Sequence, residues 1–239
     1  MNKTARRISL FLTALSIGAA TVFAAPAAAP KGPSELIADT VTYDMKNDVM
    51  IAKGNVVMIT TDGKATGDYA EYHNKEKSGK LTGHVVADKG DIHMECNEFY
   101  VDGQNHFTAL GNVKAKQQDK TYEGPKAEFF QDQEYVRMEQ GGTIVSKDGS
   151  ITADFMEGWP SQEHFVGQGS CHIVSKPKNF EGGGDHAEYW GKQEGKTVLT
   201  GNAWAMQGDN MMRGKVITAL LNEQPAGKNG AQPQDSDED

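Results

Sequence analysis

A small residue, in most copies followed by a polar one, opens a short alternating run at Ala38-Asp39, Gly67-Asp68, Cys96-Asn97, Gly124-Pro125, Ala153-Asp154, Gly184-Asp185 and Gly214-Lys215. Successive spacings are 29, 29, 28, 29, 31 and 30 residues. A period of this length marks a stacked architecture, in which each unit buries its apolar face only against its neighbours. A second mark lies about midway in each unit: a glycine, a small or polar residue, then usually an aliphatic one. Its copies are Gly54-Asn55-Val56, Gly83-His84-Val85, Gly111-Asn112-Val113, Gly142-Thr143-Ile144, Gly169-Ser170-Cys171 and Gly201-Asn202-Ala203.

Each unit reads as two strands. Apolar residues stand three and five positions into the first run, as in Val41 and Tyr43, Ala70 and Tyr72, Phe99 and Val101, or Ala127 and Phe129, with mostly polar residues between them. Such alternation is the pattern of a half-buried strand. The second run repeats it through Leu81, Val85 and Ala87, then Phe107, Val113 and Ala115, then Phe165, Cys171 and Ile173. Turn residues such as Lys46-Asn47-Asp48, Lys77-Ser78-Gly79 and Asp102-Gly103 separate the runs. The expectation is an all-β protein of about thirteen or more antiparallel strands, with an apolar lining running the length of the stack. A β-helix, a sandwich-like jelly roll and a sheet folded into a V all satisfy this pattern.

The two ends differ from the repeats. Lys3, Arg6 and Arg7, the apolar stretch from Ile8 to Phe23, and Val22-Phe23-Ala24 read as a secretory signal over residues 1–24, cleaved after Ala24. Residues 25–34 read as a linker, 35–224 as the repeat domain, and 225–239 as a disordered acidic tail. Loss of Lys3, Arg6 and Arg7 takes the formal charge from −9 to −12. An acidic chain argues against a nucleic-acid partner, which requires a basic face. The only two cysteines, Cys96 and Cys171, exclude a disulfide-dense fold. Strand parity points Cys171 inward and Cys96 outward. A bridge between them and a pair of free thiols both stay open.

The stretch TVLTGNAWAMQGDNMMRGKVITALLNEQ, Thr197 to Gln224, closely resembles the final repeats of periplasmic lipopolysaccharide-transport proteins of the LptA/OstA family. The opening ELIADTVTYDMKNDVMIAKGNVVM, Glu35 to Met58, is similar to that family's first strand, turn and Gly-Asn-Val strand. The likeness covers residues 35–224. It is best at the two ends and looser in the middle, where Pro125 and Gly158 stand at strand positions. It implies a twisted β-jelly roll, open along one side, and a non-enzymatic carrier in the periplasm without a cofactor. The implied ligand is lipopolysaccharide, held by its lipid A acyl chains. The implied protein partners are an inner-membrane export complex component, an outer-membrane insertion protein and, in head-to-tail homo-oligomers, further copies of the chain.

An apolar interior suits this role, since each buried CH₂ gains about 0.8 kcal/mol. The larger inward residues are the candidates for touching lipid: Tyr43, Tyr72, Phe99, Phe107, Phe129, Met138, Met156, Phe165 and Tyr189. A stack also ends in two unpaired strands, and Ile37, Val41, Val216 and Ile217 mark them as sites for strand addition. Phosphorylated head groups should be repelled by a −12 protein, which leaves three readings open: local cations such as Lys53, Lys64 or Arg213 at the groove mouth, contact mediated by divalent ions, or binding through the acyl chains alone. The recurring Asp39, Asp68, Asp154 and Asp185 suit turn and edge hydrogen bonds. The seven histidines show no metal-ligand spacing, and no catalytic motif is present.

Two other readings fit a secreted repeat. A β-helical polysaccharide-acting enzyme needs a cluster of Asp, Arg or Lys on one face, yet beyond the signal arginine occurs only at positions 137 and 213. A structural module of an outer-membrane assembly protein is the other.

Overall fold

Alternation of the kind seen in each repeat produces a pleated ribbon with one apolar face, and the chain folds that ribbon back on itself along its whole length. The computed structural model describes residues 35–60, 63–102, 105–191 and 195–221. The expected signal, linker and acidic tail lie outside the described residues.

Sixteen strands form one antiparallel sheet. In chain order they are β1 (Glu35–Ile37), β2 (Thr40–Asp44), β3 (Val49–Ile59), β4 (Gly63–His73), β5 (Ser78–Lys89), β6 (Ile92–Asp102), β7 (His106–Gln117), β8 (Lys120–Phe130), β9 (Tyr135–Met138), β10 (Gly142–Ser146), β11 (Gly149–Ala153), β12 (Phe155–Trp159), β13 (His164–Ser175), β14 (Phe180–Trp190), β15 (Lys196–Gln207) and β16 (Asn210–Leu220). Consecutive strands pair almost throughout. Three pairs, β1 with β2, β9 with β10, and β11 with β12, are each one long strand interrupted near its middle. The sixteen therefore make thirteen long strands, the number the repeat implies.

The second sequence mark is where each long strand bends. Gly54 and Asn55 both have positive φ, at 75° and 48°, and so do Gly83 and His84, Gly111 and Asn112, Gly169 and Ser170, and Gly201 and Asn202. Two successive left-handed residues turn the strand, which explains a glycine followed most often by asparagine. The register slips by one residue at each site, for example between Lys53 and Val56 of β3 against β4. These are β-bulges, and bulges bend strands and strengthen their twist. Stacked along the sheet, they make a crease.

The crease divides the sheet into two facing panels. Panel A holds β2, β9, β12 and residues 49–53, 69–73, 78–82, 98–102, 106–110, 126–130, 164–168, 186–190, 196–200 and 216–220. Panel B holds β1, β10, β11 and the other half of each long strand. One apolar cluster lies between them, running from Ala52 and Val56 to Ala203 and Ala205 and drawing on both panels. The result is a twisted, V-shaped β-jelly roll.

The phased acids cap this crease. Asp39 Oδ2 accepts from Asn55 Nδ2 at 3.0 Å, Asp154 Oδ2 from Ser170 Oγ at 2.8 Å and Asp185 Oδ2 from Asn202 Nδ2 at 2.9 Å. A Cβ added at Gly201 would stand 2.6 Å from Asp185 Oδ2, so the carboxylate occupies the space a side chain would need. The fourth repeat lacks this device. Pro125 stands where an acid is expected, and the partner strand breaks into β9 and β10.

Cysteine parity requires a correction. Cys96 faces inward and is buried, as is Cys171, and both are free thiols. Counting from Phe99 fails because the crease lies between residues 96 and 99, and on β6, which contributes the shorter side of each bulge, the bend shifts the inward parity by one. Four strands, β7, β8, β10 and β11, separate the two cysteines within panel B. At about 4.8 Å per strand, that spacing is far beyond disulfide reach.

Candidate functional site

The inner faces of the panels converge at the crease and part at their free edges, so the candidate site is the trough between them. An open section of it lies between β3 and β6. An open cleft runs there between Met58, Thr60, Gly63, Ala65, Val85 and Ala87 of panel B and Ala70, Tyr72, Gly79, Leu81, Phe99 and Val101 of panel A. Nearly every lining group is carbon. The only charged residues on its rim are Glu71 and Lys80.

The nine sequence-identified residues fall into three groups. Tyr72 and Phe99 line the open cleft. Phe107, Met138, Met156 and Phe165 sit deep in the filled part of the trough, each at most 3% exposed. Phe107 lies 5.9 Å from Phe99, ring to ring, so the filled part continues directly from the cleft. Met138 covers the glycines of the fourth repeat: a Cβ at Gly124 or Gly142 would meet its methyl within 2.7 Å. Gly158 makes room for Phe165 in the same way. Phe129 and Tyr189 are half-buried and pack against the same apolar cluster. Tyr43 stands apart from the interior. It is exposed on terminal strand β2 and donates its hydroxyl to Asp48.

The terminal strands carry apolar side chains in water. Ile37, Val41, Tyr43 and Met45 are exposed at one end, and Met211, Met212, Val216 and Leu220 at the other. Ile217 instead faces the trough and packs against the core. Strands β1 and β2 pair only with β3, and β16 pairs only with β15.

The candidate mouth cations sit elsewhere. Lys53 adjoins the crease at Gly54, and Lys64 alternates with inward Ala65 on the outer side of panel B. Arg213 pairs in register with Trp204, which alternates with the buried Ala203 and Ala205. Cations at the mouth include Lys80, on the cleft rim, and Lys120, whose Nζ lies 2.6 Å from Glu163 Oε1.

Two features of the outer face escaped the sequence reading. One is a run of stacked rings across panel A, His106, Phe130, Tyr135, Trp159, His164 and Trp190, with neighbouring centroids 4.5 to 5.5 Å apart. Each ring pair adds about 0.5–1.5 kcal/mol beyond area burial. The other is a set of carboxylates held by cations. Glu128 accepts from Arg137 Nη2 at 2.8 Å and Nε at 3.0 Å, and its other oxygen lies 3.4 Å from Lys126 Nζ. Burial pushes the Glu128 pKa up, but Arg137 and Lys126 more than offset this and leave it below its ordinary value. Glu71 is lowered to about 2, chiefly by the Tyr69 hydroxyl at 2.6 Å, then by His73 at 2.9 Å and Lys80 at 3.3 Å. The signal for both lay in the outward positions of the same alternating runs.

Among the described residues, no group of three or more His, Cys, Asp or Glu could hold a metal ion. The geometry therefore offers an apolar trough with polar outer walls. A family model described as LptA/(LptD N-terminal domain) LPS transport protein matches residues 93–225, just over half of the chain. Among solved structures, the crystal structure of LptH, the LptA homologous periplasmic component of the lipopolysaccharide transport device from Pseudomonas aeruginosa, is similar at 15% identity. That match covers 62% of this chain and 98% of the other, with a TM-score of 0.34. No curated protein matches the sequence.

Proposed function

The chain belongs to the LptA/(LptD N-terminal domain) family of LPS transport proteins, and from that premise we propose that it is a periplasmic carrier that shields lipopolysaccharide acyl chains in its trough on the way between the two membranes. The observation that carries this reading is the open cleft walled by Met58, Ala65, Leu81, Val85 and Phe99, whose lining is almost wholly apolar. Acyl chains placed there leave water at about 0.8 kcal/mol per CH₂. The cleft leads by Phe99 to Phe107 and the filled interior, so chains that part the panels have a continuous apolar path.

The exposed apolar strands supply the ends of that path. Val41 on β2 and Val216 on β16 are the positions where a neighbouring β-sheet, from a membrane-anchored partner or another copy, would continue the sheet. A carrier docked this way joins its trough to the next without exposing lipid.

A photo-crosslinking amino acid tests the reading. At Tyr72 or Phe99 it is expected to capture lipopolysaccharide. At Lys116, exposed on the outer face of panel B, it is expected to capture none. Equal capture at both faces overturns the carrier reading.

A further inference from the structure

The mouth of the trough is not open along its whole length. Lys120 begins β8 at the free edge of panel B, just after the turn from β7. Glu163 lies at the free edge of panel A, between the 3-10 turn Pro160–Gln162 and β13. The two residues are 43 positions apart and belong to hairpins that do not pair, yet their charged groups meet at 2.6 Å. The contact crosses from one panel edge to the other.

Glu163 is held rigidly for this contact. It adopts φ 52° as the left-handed cap of its turn, donates its N–H to Pro160 O at 3.1 Å and accepts from Gly191 N at 3.0 Å. A Cβ added at Gly191 would stand 2.6 Å from Glu163 Oε2 and 2.9 Å from Tyr189 Oη, so carboxylate and phenol converge on that glycine. Tyr122, buried on the inner face of panel B, also feels this carboxylate. Burial first, then Glu163 and Asp119, push its pKa up to about 12. Below the ion pair, then, lie inward groups of both panels: Tyr122, Tyr189 and, opposite Tyr189 in register, Thr197. Thr197 is fully buried, and its Oγ1 has no hydrogen-bond partner. An unpaired hydroxyl in an apolar interior is costly unless something gives it a partner.

We propose that Lys120 and Glu163 form a latch across the mouth of the trough, closing over a second lipid compartment that receives an acyl chain only when the pair parts. This rests on the carrier reading and divides its trough into a standing-open section and a gated one. The ligand is a single-chain amphiphile whose ester or hydroxyl oxygen reaches the Thr197 hydroxyl. Both latch groups are partly in water, at about a quarter exposed, so they can exchange each other for solvent. Lys120, once released, also stands free to meet an anionic head group at the lip.

Two measurements on the full-length protein test the latch. Hydrogen exchange without ligand compares wild type with Lys120→Ala, Glu163→Gln and the exchanged pair Lys120→Glu with Glu163→Lys. Peptides covering 120–123 and 187–191 are expected to exchange several-fold faster in the single variants and to recover in the exchanged pair, while peptides covering 56–59 stay unchanged. Energy transfer from tryptophan to dansyl undecanoate then follows admission of the chain. A slow phase is expected, accelerated several-fold in the single variants and restored in the exchanged pair. Identical exchange and identical slow phases in all four proteins overturn the latch. Altered exchange with no probe uptake in any protein overturns the carrier reading and leaves a structural clasp.

Discussion

The two sections of the trough are built from one repeat but differ in what fills them. Between β3 and β6 the inner positions are largely small, with Ala65, Ala70, Val85 and Ala87, and the panels stand apart over an open cleft. From β6 onward lie the bulkiest fully buried side chains: Met94, Phe107, Met138, Met156 and Leu199. There the interior is filled and the mouth is bridged by Lys120 and Glu163. The period therefore sets the panels and the crease, while side-chain volume at the inward positions sets whether a given stretch is cavity or core. One fold can hold both because each rung packs only against its immediate neighbours, so distant rungs can be filled differently.

The largest expected effect separates these sections by stability. Phe107→Ala removes a side chain 1% exposed in the filled section. It is expected to cost about 3–5 kcal/mol in urea unfolding, the range for a buried phenylalanine. Tyr72→Ala acts on the open cleft, where the side chain is only half-buried, and should cost about 1–2 kcal/mol. Equal costs would erase the distinction between filled and open sections.

A smaller effect concerns the crease, which both sections share. Gly201 has φ 71° and faces Asp185 at close range. Gly90 has φ 57° in the open hairpin between β5 and β6, with nothing near a would-be Cβ. Left-handed backbone alone costs an alanine about 1–2 kcal/mol. Gly90→Ala is expected within that range, and Gly201→Ala above it, because the carboxylate must also move. Thermal unfolding of the two variants checks the ranking. If they match, the acids do not clamp the bend.

These contrasts show what the sequence made legible and what it hid. The crease was marked because a bulge with two left-handed residues demands glycine and tolerates asparagine, and both recur in phase. Phe107 and Phe165 were found because alternation within one half-strand is a local property. The orientation of Cys96 was lost because on its strand, the shorter side of each bulge, parity shifts at the bend. The latch left no trace in the pattern, since Lys120 and Glu163 sit in different turns and meet only through the curvature of the whole sheet. Tyr43 read as an interior position because its alternation is correct, but its strand is the last rung and has no facing panel to bury it.

The smallest effect compares how each section holds a carboxylate against acid. Glu71, beside the open cleft, has its pKa lowered to about 2 by Tyr69, then His73 and Lys80. A carboxyl whose pKa is lowered on folding adds stability above its unfolded value near 4.5, and that contribution fades as pH falls toward 2. Glu71→Gln should therefore lower the urea midpoint at neutral pH and flatten its fall between about pH 4.5 and 2, so that variant and wild type converge at the acid end. Glu128, in the filled section, is balanced differently. Burial works against its charge, and only Arg137 and Lys126 keep its pKa low. Arg137→Gln removes the main partner and lets burial dominate, so the Glu128 pKa should rise and stability should fall at neutral pH as well. Midpoints measured from pH 7 to pH 2 tell the cases apart: the Glu71 variant lies below wild type at neutral pH and closes on it only below about pH 4.5, whereas the deficit of the Arg137 variant starts to shrink at higher pH, as the buried Glu128 carboxyl takes up its proton. Parallel curves for the two variants would mean that the carboxylates share one environment, and that the open and filled sections do not differ in how they hold charge.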